Sequence, residues 1–282
     1  MVLAQGAAER AREIRDITDA EIEFYDAKGW VKLDSLISSD FAAELLDRAK
    51  QRMGSSGDAH VLRPGVDLVG HLSWHDYHNI AEDDESFAEL AFSKQIGRNV
   101  QRLLRRAVGI RVYANMLATK LGKDQGTDVT EYAPTYFHQD FPTLAIDRSG
   151  YLGFWIALDE VTPDMGALRF RNGSHRMGSL GRWFDGEELQ DVYPFMEQDY
   201  PLGPELHYQP GDASVHHGFT VHGAPENTTD RPRWAFVIGY FPADTRFTGA
   251  GTPGDEHIHD AERYGLRVGE TFDHPAFTLI EP

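Results

Sequence analysis

Arg233-Trp234-Ala235-Phe236-Val237-Ile238-Gly239-Tyr240 is a run of aromatic and β-branched side chains, the composition that suits a pleated, buried surface. It reads as a strand. Working backward, short apolar stretches at 111–119, 135–141, 153–158, 167–171 and 213–217 are separated by Gly, Pro, Asn and Asp. Among them Gly153-Phe154-Trp155-Ile156-Ala157-Leu158 reads as a buried strand. Short strands with turn residues between them predict a sandwich or a barrel. Before residue 110 the texture is helical. Thr18-Asp19-Ala20-Glu21 is a capping box opening a helix that turns Ile22 and Tyr25 inward and ends at Gly29. Trp30-Val31-Lys32-Leu33 alternates like a strand. Ser39 is expected to cap a second helix, with Phe41, Leu45, Ala49 and Met53 on one face. Ser93 opens a third, with Ile96, Val100, Leu103, Leu104 and Ala107 buried and Gly109 after it. Its arginines, Arg98, Arg102, Arg105 and Arg106, form a solvated face. Helices first and strands later argue against a doubly wound parallel sheet.

Chemistry enters at His138-Gln139-Asp140, read together with His222 and Arg233. On a strand, side chains two residues apart share a face, so His138 and Asp140 point the same way. A distant His222 completes two imidazoles and one carboxylate, the set that holds a ferrous ion on one face and leaves the other open. Arg233 offers a fixed fork for the carboxylate of an organic co-substrate. With 13 His and 45 acidic residues, His-x-Asp triplets also arise by chance, as at His257-Ile258-His259-Asp260, and a His-Asp pair recurs at His75-Asp76. The placement distinguishes the first triplet. It lies before the buried strand at 153–158, while His222 follows Gly211-Asp212-Ala213-Ser214-Val215, a turn feeding another strand. Ligands on separate strands suit a barrel mouth. Arg231 has the same parity as Arg233 and remains a rival, although it precedes Pro232 in a turn.

The 282 residues suffice for one large domain or two small ones. With 41% hydrophobic and 26% charged residues the chain is of ordinary globular composition. No apolar run approaches the roughly 20 residues needed to span a bilayer, and residues 1–16 lack the apolar centre of a signal peptide. The absence of Cys excludes disulfides, thiolate metal sites and Cys nucleophiles. A cytoplasmic location is expected. A net charge of −18 repels phosphate backbones, so neither nucleic acid nor membrane is an expected partner. None of these features sets the oligomeric state.

At these residues the chain resembles the phytanoyl-CoA dioxygenase-like family of Fe(II)- and 2-oxoglutarate-dependent oxygenases, over about residues 18–241. Asn115-Met116-Leu117-Ala118-Thr119-Lys120 resembles the strand before the metal motif, and His138-Gln139-Asp140 the motif itself. Trp155-Ile156-Ala157-Leu158-Asp159, Gly166-Ala167-Leu168 and Gly173-Ser174-His175-Arg176 are similar to the central block. Gly211-Asp212, His217-Gly218 and Val221-His222-Gly223 are similar to the distal block. The resemblance implies a mainly β fold with flanking helices, a double-stranded β-helix or cupin-like jelly roll. It also implies His138, Asp140 and His222 as iron ligands, Arg233 on the distal carboxylate of 2-oxoglutarate, and Trp155 and Met116 in contact with that co-substrate. Dioxygen is the oxidant, and a small organic metabolite, in natural-product metabolism, is the expected substrate. Asp164-Met165-Gly166 and Arg171-Asn172-Gly173 depart from the usual turn sequences. The retained Asp140 argues against halogenation, which needs a small residue there.

The expected organisation is one dioxygenase domain over 1–282: a helical N-terminal segment at 1–109, a core of about 110–241 with an insertion at 174–207 that reads equally as a cover for the barrel mouth or as a surface subdomain packed on itself, and a tail at 242–282. His175 is expected in the scaffold, and His216 and His217 behind the distal ligand or in the core. Residues 74–78 read equally as pocket lining or surface loop. Two other classes stay open: a cupin-type metalloenzyme that does not use 2-oxoglutarate, and a non-catalytic small-molecule-binding jelly roll. Arg233 argues against the first and the complete ligand set against the second.

Overall fold

The computed structural model describes residues 13–57, 75–123, 134–180, 189–250 and 264–282. Helix α1 (Asp19–Lys28) starts at the anticipated capping box: Glu21 N donates to Thr18 Oγ1 at 3.2 Å and Thr18 N to the Glu21 carboxylate at 2.6 Å. It stops at Gly29, which takes the left-handed φ of 81° that ends helices cheaply only at glycine. Strand β1 (Trp30–Leu33) follows, then α2 (Ser39–Met53), β2 (His75–His78), α3 (Ile80–Asp83), α4 (Glu85–Ala91) and α5 (Lys94–Leu104).

Two boundaries differ from the sequence reading. The cap of α2 is Ser38, whose side chain accepts from Phe41 N, rather than Ser39. Helix α5 ends at Leu104 because Arg105 turns left-handed, which leaves Ala107 exposed instead of buried. Its arginines do form a solvated face, with Arg102, Arg105 and Arg106 meeting Asp19, Asp26 and Asp244.

The remaining strands are β3 (Ile110–Lys120), β4 (Thr135–His138), β5 (Leu152–Ala157), β6 (Arg169–Phe170), β7 (Ala213–His217), β8 (His222–Ala224), β9 (Arg233–Pro242) and β10 (Leu279–Ile280), with short helices α6 (Leu189–Val192) and α7 (Met196–Asp199) inside the insertion. One sheet runs β1-β7-β5-β9-β3-β10, with β2 also on β3, and a smaller sheet runs β4-β8-β6. The pairings are antiparallel. This is the double-stranded β-helix. Residues 1–109 are not purely helical, since β1 and β2 join the large sheet. Residues 75–78 are thus an added strand rather than a surface loop.

Strand alternation divides the core. Phe154, Ile156, Val215, Phe236 and Ile238 face the helices and pack on Phe41, Leu45, Phe87, Ile96 and Val100. Trp30, Trp155, Ala157, Phe170, Tyr208 and Ala235 face the other way and fill the space between the sheets. Trp30 stacks on Phe170 with ring centroids 4.8 Å apart, tying β1 to β6. The tail is not a loose appendage: Phe247, Phe272 and Phe277 pack on Tyr113, Phe241 and Ile146.

Candidate active site

Strand β4 delivers His138, and β8 delivers His222 directly opposite it, with ring centroids 4.3 Å apart. Asp140 arrives differently from the expectation. The strand ends at His138, and Asp140 has helical angles (φ −70°, ψ −38°) at the head of the 3₁₀ turn Phe141–Thr143. Gln139 is the cause of the turn-out: its amide nitrogen donates to Gly178 O and Phe219 O at 2.8 and 2.7 Å, and its oxygen accepts from Leu180 N. With Gln139 anchored, and Phe141 N held by Gly218 O at 2.9 Å, the Asp140 carboxylate is still returned to the side of His138. One donor atom each from His138, Asp140 and His222 lies within 4.8 Å of the others.

His138 Nδ1 donates to Tyr136 O at 2.8 Å and His222 Nδ1 to Thr220 O at 3.0 Å, which turns both Nε2 atoms toward Asp140 Oδ1, 3.5 and 3.7 Å away. Burial, then the neighbouring His216 and His138, holds His222 well below the usual histidine range, so it is neutral. Burial alone would raise Asp140, but His222, His138 and His216 outweigh it and hold the carboxyl well below its ordinary value. Two imidazoles and an ionised carboxylate fit a ferrous ion.

Arg233 opens β9 on the interior face. It is 3% exposed, its guanidinium lies 5.4 Å from the Trp155 ring centroid, and Nη1 donates to Gly166 O. Its Nε is buried without a partner. Burial pushes its pKa down to about 10, with a small opposing effect of Tyr208, so it stays charged at neutral pH. Among the described residues no carboxylate forms an ion pair with it. Arg231, by contrast, is half exposed and faces Asp159 and Glu160 at 3.5 and 3.6 Å. Met116 pairs with Val237 on one side and His78 on the other, and Trp155 also pairs with Val237, so both share Arg233's face.

Sequence reasoning does not single out Lys120 or Tyr151. Lys120 pairs with Arg233 and is fully buried, donating to Pro225 O at 3.0 Å. Burial first, and Arg233 second, push it well below the usual lysine value. A lysine closing an apolar strand was the available signal. Tyr151 is raised by burial and by Asp140. Phe141 and Phe219, both partly exposed, sit with ring centroids 4.1 Å apart beside the ligand loop. His175 and His217 lie 5.9 Å apart near Gly29, outside the set His138, Asp140 and His222. The insertion packs Leu189, Met196, Met177 and Tyr193 on Phe137 and Val221, behind the ligand strands. Trp183, Phe184 and the His257 and His259 pair lie outside the described residues.

The model of the family phytanoyl-CoA dioxygenase (PhyH) matches residues 5–235. The chain belongs to the phytanoyl-CoA dioxygenase family. It is accordingly an iron- and 2-oxoglutarate-dependent dioxygenase. Proteins similar to it include a probable alpha-ketoglutarate-dependent hypophosphite dioxygenase of Stutzerimonas stutzeri, 25% identical over 83% of this chain and 82% of the relative. Phytanoyl-CoA dioxygenase 1 of Oryza sativa subsp. japonica is 24% identical over 79% of this chain and 88% of its own length. In fold the chain is similar to the non-heme alpha ketoglutarate dependent carbocyclase SnoK from nogalamycin biosynthesis (TM-score 0.73, 22% identity, 94% and 96% of the two chains). It is also similar to EctD from S. alaskensis, solved with 2-oxoglutarate and 5-hydroxyectoine (TM-score 0.64, 19% identity, 84% and 82%). No helix among the described residues is long and apolar enough to cross a membrane.

Proposed function

We propose that the whole chain, residues 1–282, forms one domain in which His138, Asp140 and His222 hold Fe(II) and Arg233 binds the distal carboxylate of 2-oxoglutarate. Its reaction is hydroxylation, or a related oxidation, of an unactivated C–H bond in a small organic metabolite. The observation that carries this reading is Arg233: a buried guanidinium, on the interior face, with no carboxylate partner among the described residues. An uncompensated buried charge is costly, and a bound dianion offsets that cost.

Iron, when bound, supplies the coupling of dioxygen reduction to 2-oxoglutarate decarboxylation. The chain's own groups do the rest. The Nδ1–H bonds of His138 and His222 orient both imidazoles before any ligand arrives. Trp155 covers the Arg233 guanidinium with an apolar ring, which excludes water from the carboxylate subsite. Met116 lines the same face. Phe141 and Phe219 flank the ligand loop and would contact an apolar portion of the organic substrate.

The deciding experiment is a screen of small metabolites for stimulated succinate formation by iron-loaded protein. Wild-type turnover in the presence of a metal chelator, or oxidation without 2-oxoglutarate consumption, would overturn the reading in favour of another metallo-cupin class.

A further inference from the structure

Three histidines meet at Asp140, and one of them is wired in reverse. His138 and His222 each donate Nδ1–H to a carbonyl and turn Nε2 toward Asp140 Oδ1. His216 does the opposite. Its Nδ1 is buried with no partner, while its Nε2 lies 2.9 Å from Asp140 Oδ2. A carboxylate oxygen only accepts, so the His216 proton sits on Nε2 and that nitrogen has no lone pair to offer a metal. The two oxygens of Asp140 are therefore shared out: Oδ1 toward the Nε2 atoms of His138 and His222, Oδ2 toward the N–H of His216.

The surroundings hold His216 in this pose. It lies inward on β7, 4% exposed, between Trp30 on β1 and Gly153 on β5 by register. Its ring is wedged against His222 (centroids 4.1 Å apart) and Phe170 (5.6 Å). Gly153 lies within β5, where glycine weakens a sheet, and its φ is not of the left-handed kind that would call for one. Its missing side chain has another consequence. A Cβ at 153 would stand 2.6 Å from His216 Cε1 and Nε2, so the glycine is what lets the ring lie across the strand and reach Asp140.

We propose that His216 is a positioning residue that makes Asp140 a one-oxygen metal ligand. By occupying Oδ2 it prevents the carboxylate from chelating the metal with both oxygens, and so keeps the opposite coordination positions open for the co-substrate and dioxygen. This rests on the reading of His138, Asp140 and His222 as the metal ligands.

The test compares wild type with His216→Phe, which keeps a flat ring and removes the donor, and His216→Gln, whose amide N–H extends about as far as Nε2. Fe(II) affinity is read anaerobically by competition with a chromogenic chelator. The second readout is the charge-transfer absorption of the Fe(II)–2-oxoglutarate complex, which reports the ligand field without turnover. His216→Phe should weaken Fe(II) binding about 10- to 100-fold and shift the band, as loss of a partner to a ligand does; His216→Gln should restore both. Gly153→Ala, which pushes the ring from the other side, should reproduce the His216→Phe result with His216 still present, and carries the comparison if the Phe variant fails to fold. Unchanged affinity and absorption in both His216→Phe and Gly153→Ala would overturn the proposal. So would a loss of Fe(II) binding in His216→Phe as complete as in His138→Ala, because His216 would then be a ligand itself. A wild-type protein that binds no Fe(II) would sink the metal-site reading and this proposal with it, whereas normal wild-type binding isolates any failure to His216.

Discussion

Arg233 stands directly opposite Lys120 across β9 and β3, so a buried guanidinium and a buried lysine amine share one patch of the barrel interior. Burial and Arg233 together depress Lys120, while Arg233 itself remains charged at neutral pH. Arg233→Ala should therefore weaken 2-oxoglutarate binding by roughly 10²–10³-fold, since breaking a buried charge pair costs about 3–5 kcal/mol. Arg233→Lys should recover only a fraction of this, because a point charge does not reproduce the fork. Arg231→Ala should leave affinity intact, as its partners are the partly exposed Asp159 and Glu160. Anaerobic calorimetry with 2-oxoglutarate checks all three, and equal losses in the two Ala variants would refute the assignment.

Replacing His138, Asp140 or His222 with Ala should abolish Fe(II) binding and oxidation while the metal-free protein still folds. Each histidine holds one backbone carbonyl and the His222 ring also packs on His138, His216 and Phe170, so a modest loss of melting temperature accompanies the change. Circular dichroism melts and chelator competition separate the outcomes; a variant that retains stoichiometric Fe(II) is not missing a ligand.

Trp30→Ala should destabilise the fold by about 3–5 kcal/mol, the usual range for removing a buried aromatic. The indole stacks on Phe170 and donates Nε1–H to Asn172 Oδ1 at 3.0 Å, so its loss uncouples the two sheets. Urea denaturation measures this, and a loss below about 1 kcal/mol would mean that the space collapses or that the stack contributes little.

Burial, reinforced by His175 and His216, lowers His217 from 6.5 to about 4. A histidine depressed on folding binds its proton in the unfolded chain first. Its stabilising effect is present above the unfolded value and is lost as pH falls from about 6.5 to 4, by about 3 kcal/mol in all. In metal-free protein His217→Asn, which keeps an acceptor near Phe219 N, should flatten this acid limb of the stability–pH curve. An unaltered acid limb would place the titration elsewhere.

Gln139→Ala should weaken Fe(II) binding by releasing the turn that carries Asp140, and should loosen the insertion, since Gln139 meets Gly178 O, Phe219 O and Leu180 N. Hydrogen exchange at Leu180 should speed up about tenfold or more, as an unsatisfied buried group costs about 1–3 kcal/mol. Protection equal to wild type would show that the hydrophobic contacts of Met177, Leu180 and Tyr193 suffice.

Local rules carried much of this structure. The capping box at Thr18 and Glu21, the left-handed stop at Gly29 and the alternation in β5 and β9 act between near neighbours, so they can be read from neighbouring letters. The same holds for the residue types His138, Asp140 and His222, whose chemistry does not depend on where the chain goes.

What only the tertiary structure decided are the relationships across the barrel. Parity alone leaves Arg231 and Arg233 equivalent; closure of the sheets buries one and leaves the other among surface carboxylates. Strand periodicity would carry Asp140 along β4, yet the strand ends at His138, and anchoring of Gln139 by the 174–207 segment returns the carboxylate to the site. Nothing in the sequence says which histidine near His222 meets Asp140, because the choice of His216 over His217 follows from which face of β7 looks inward and from the space left at Gly153. Such contacts join residues far apart in the chain, and their geometry is set by strand register and sheet packing, which only the whole fold determines.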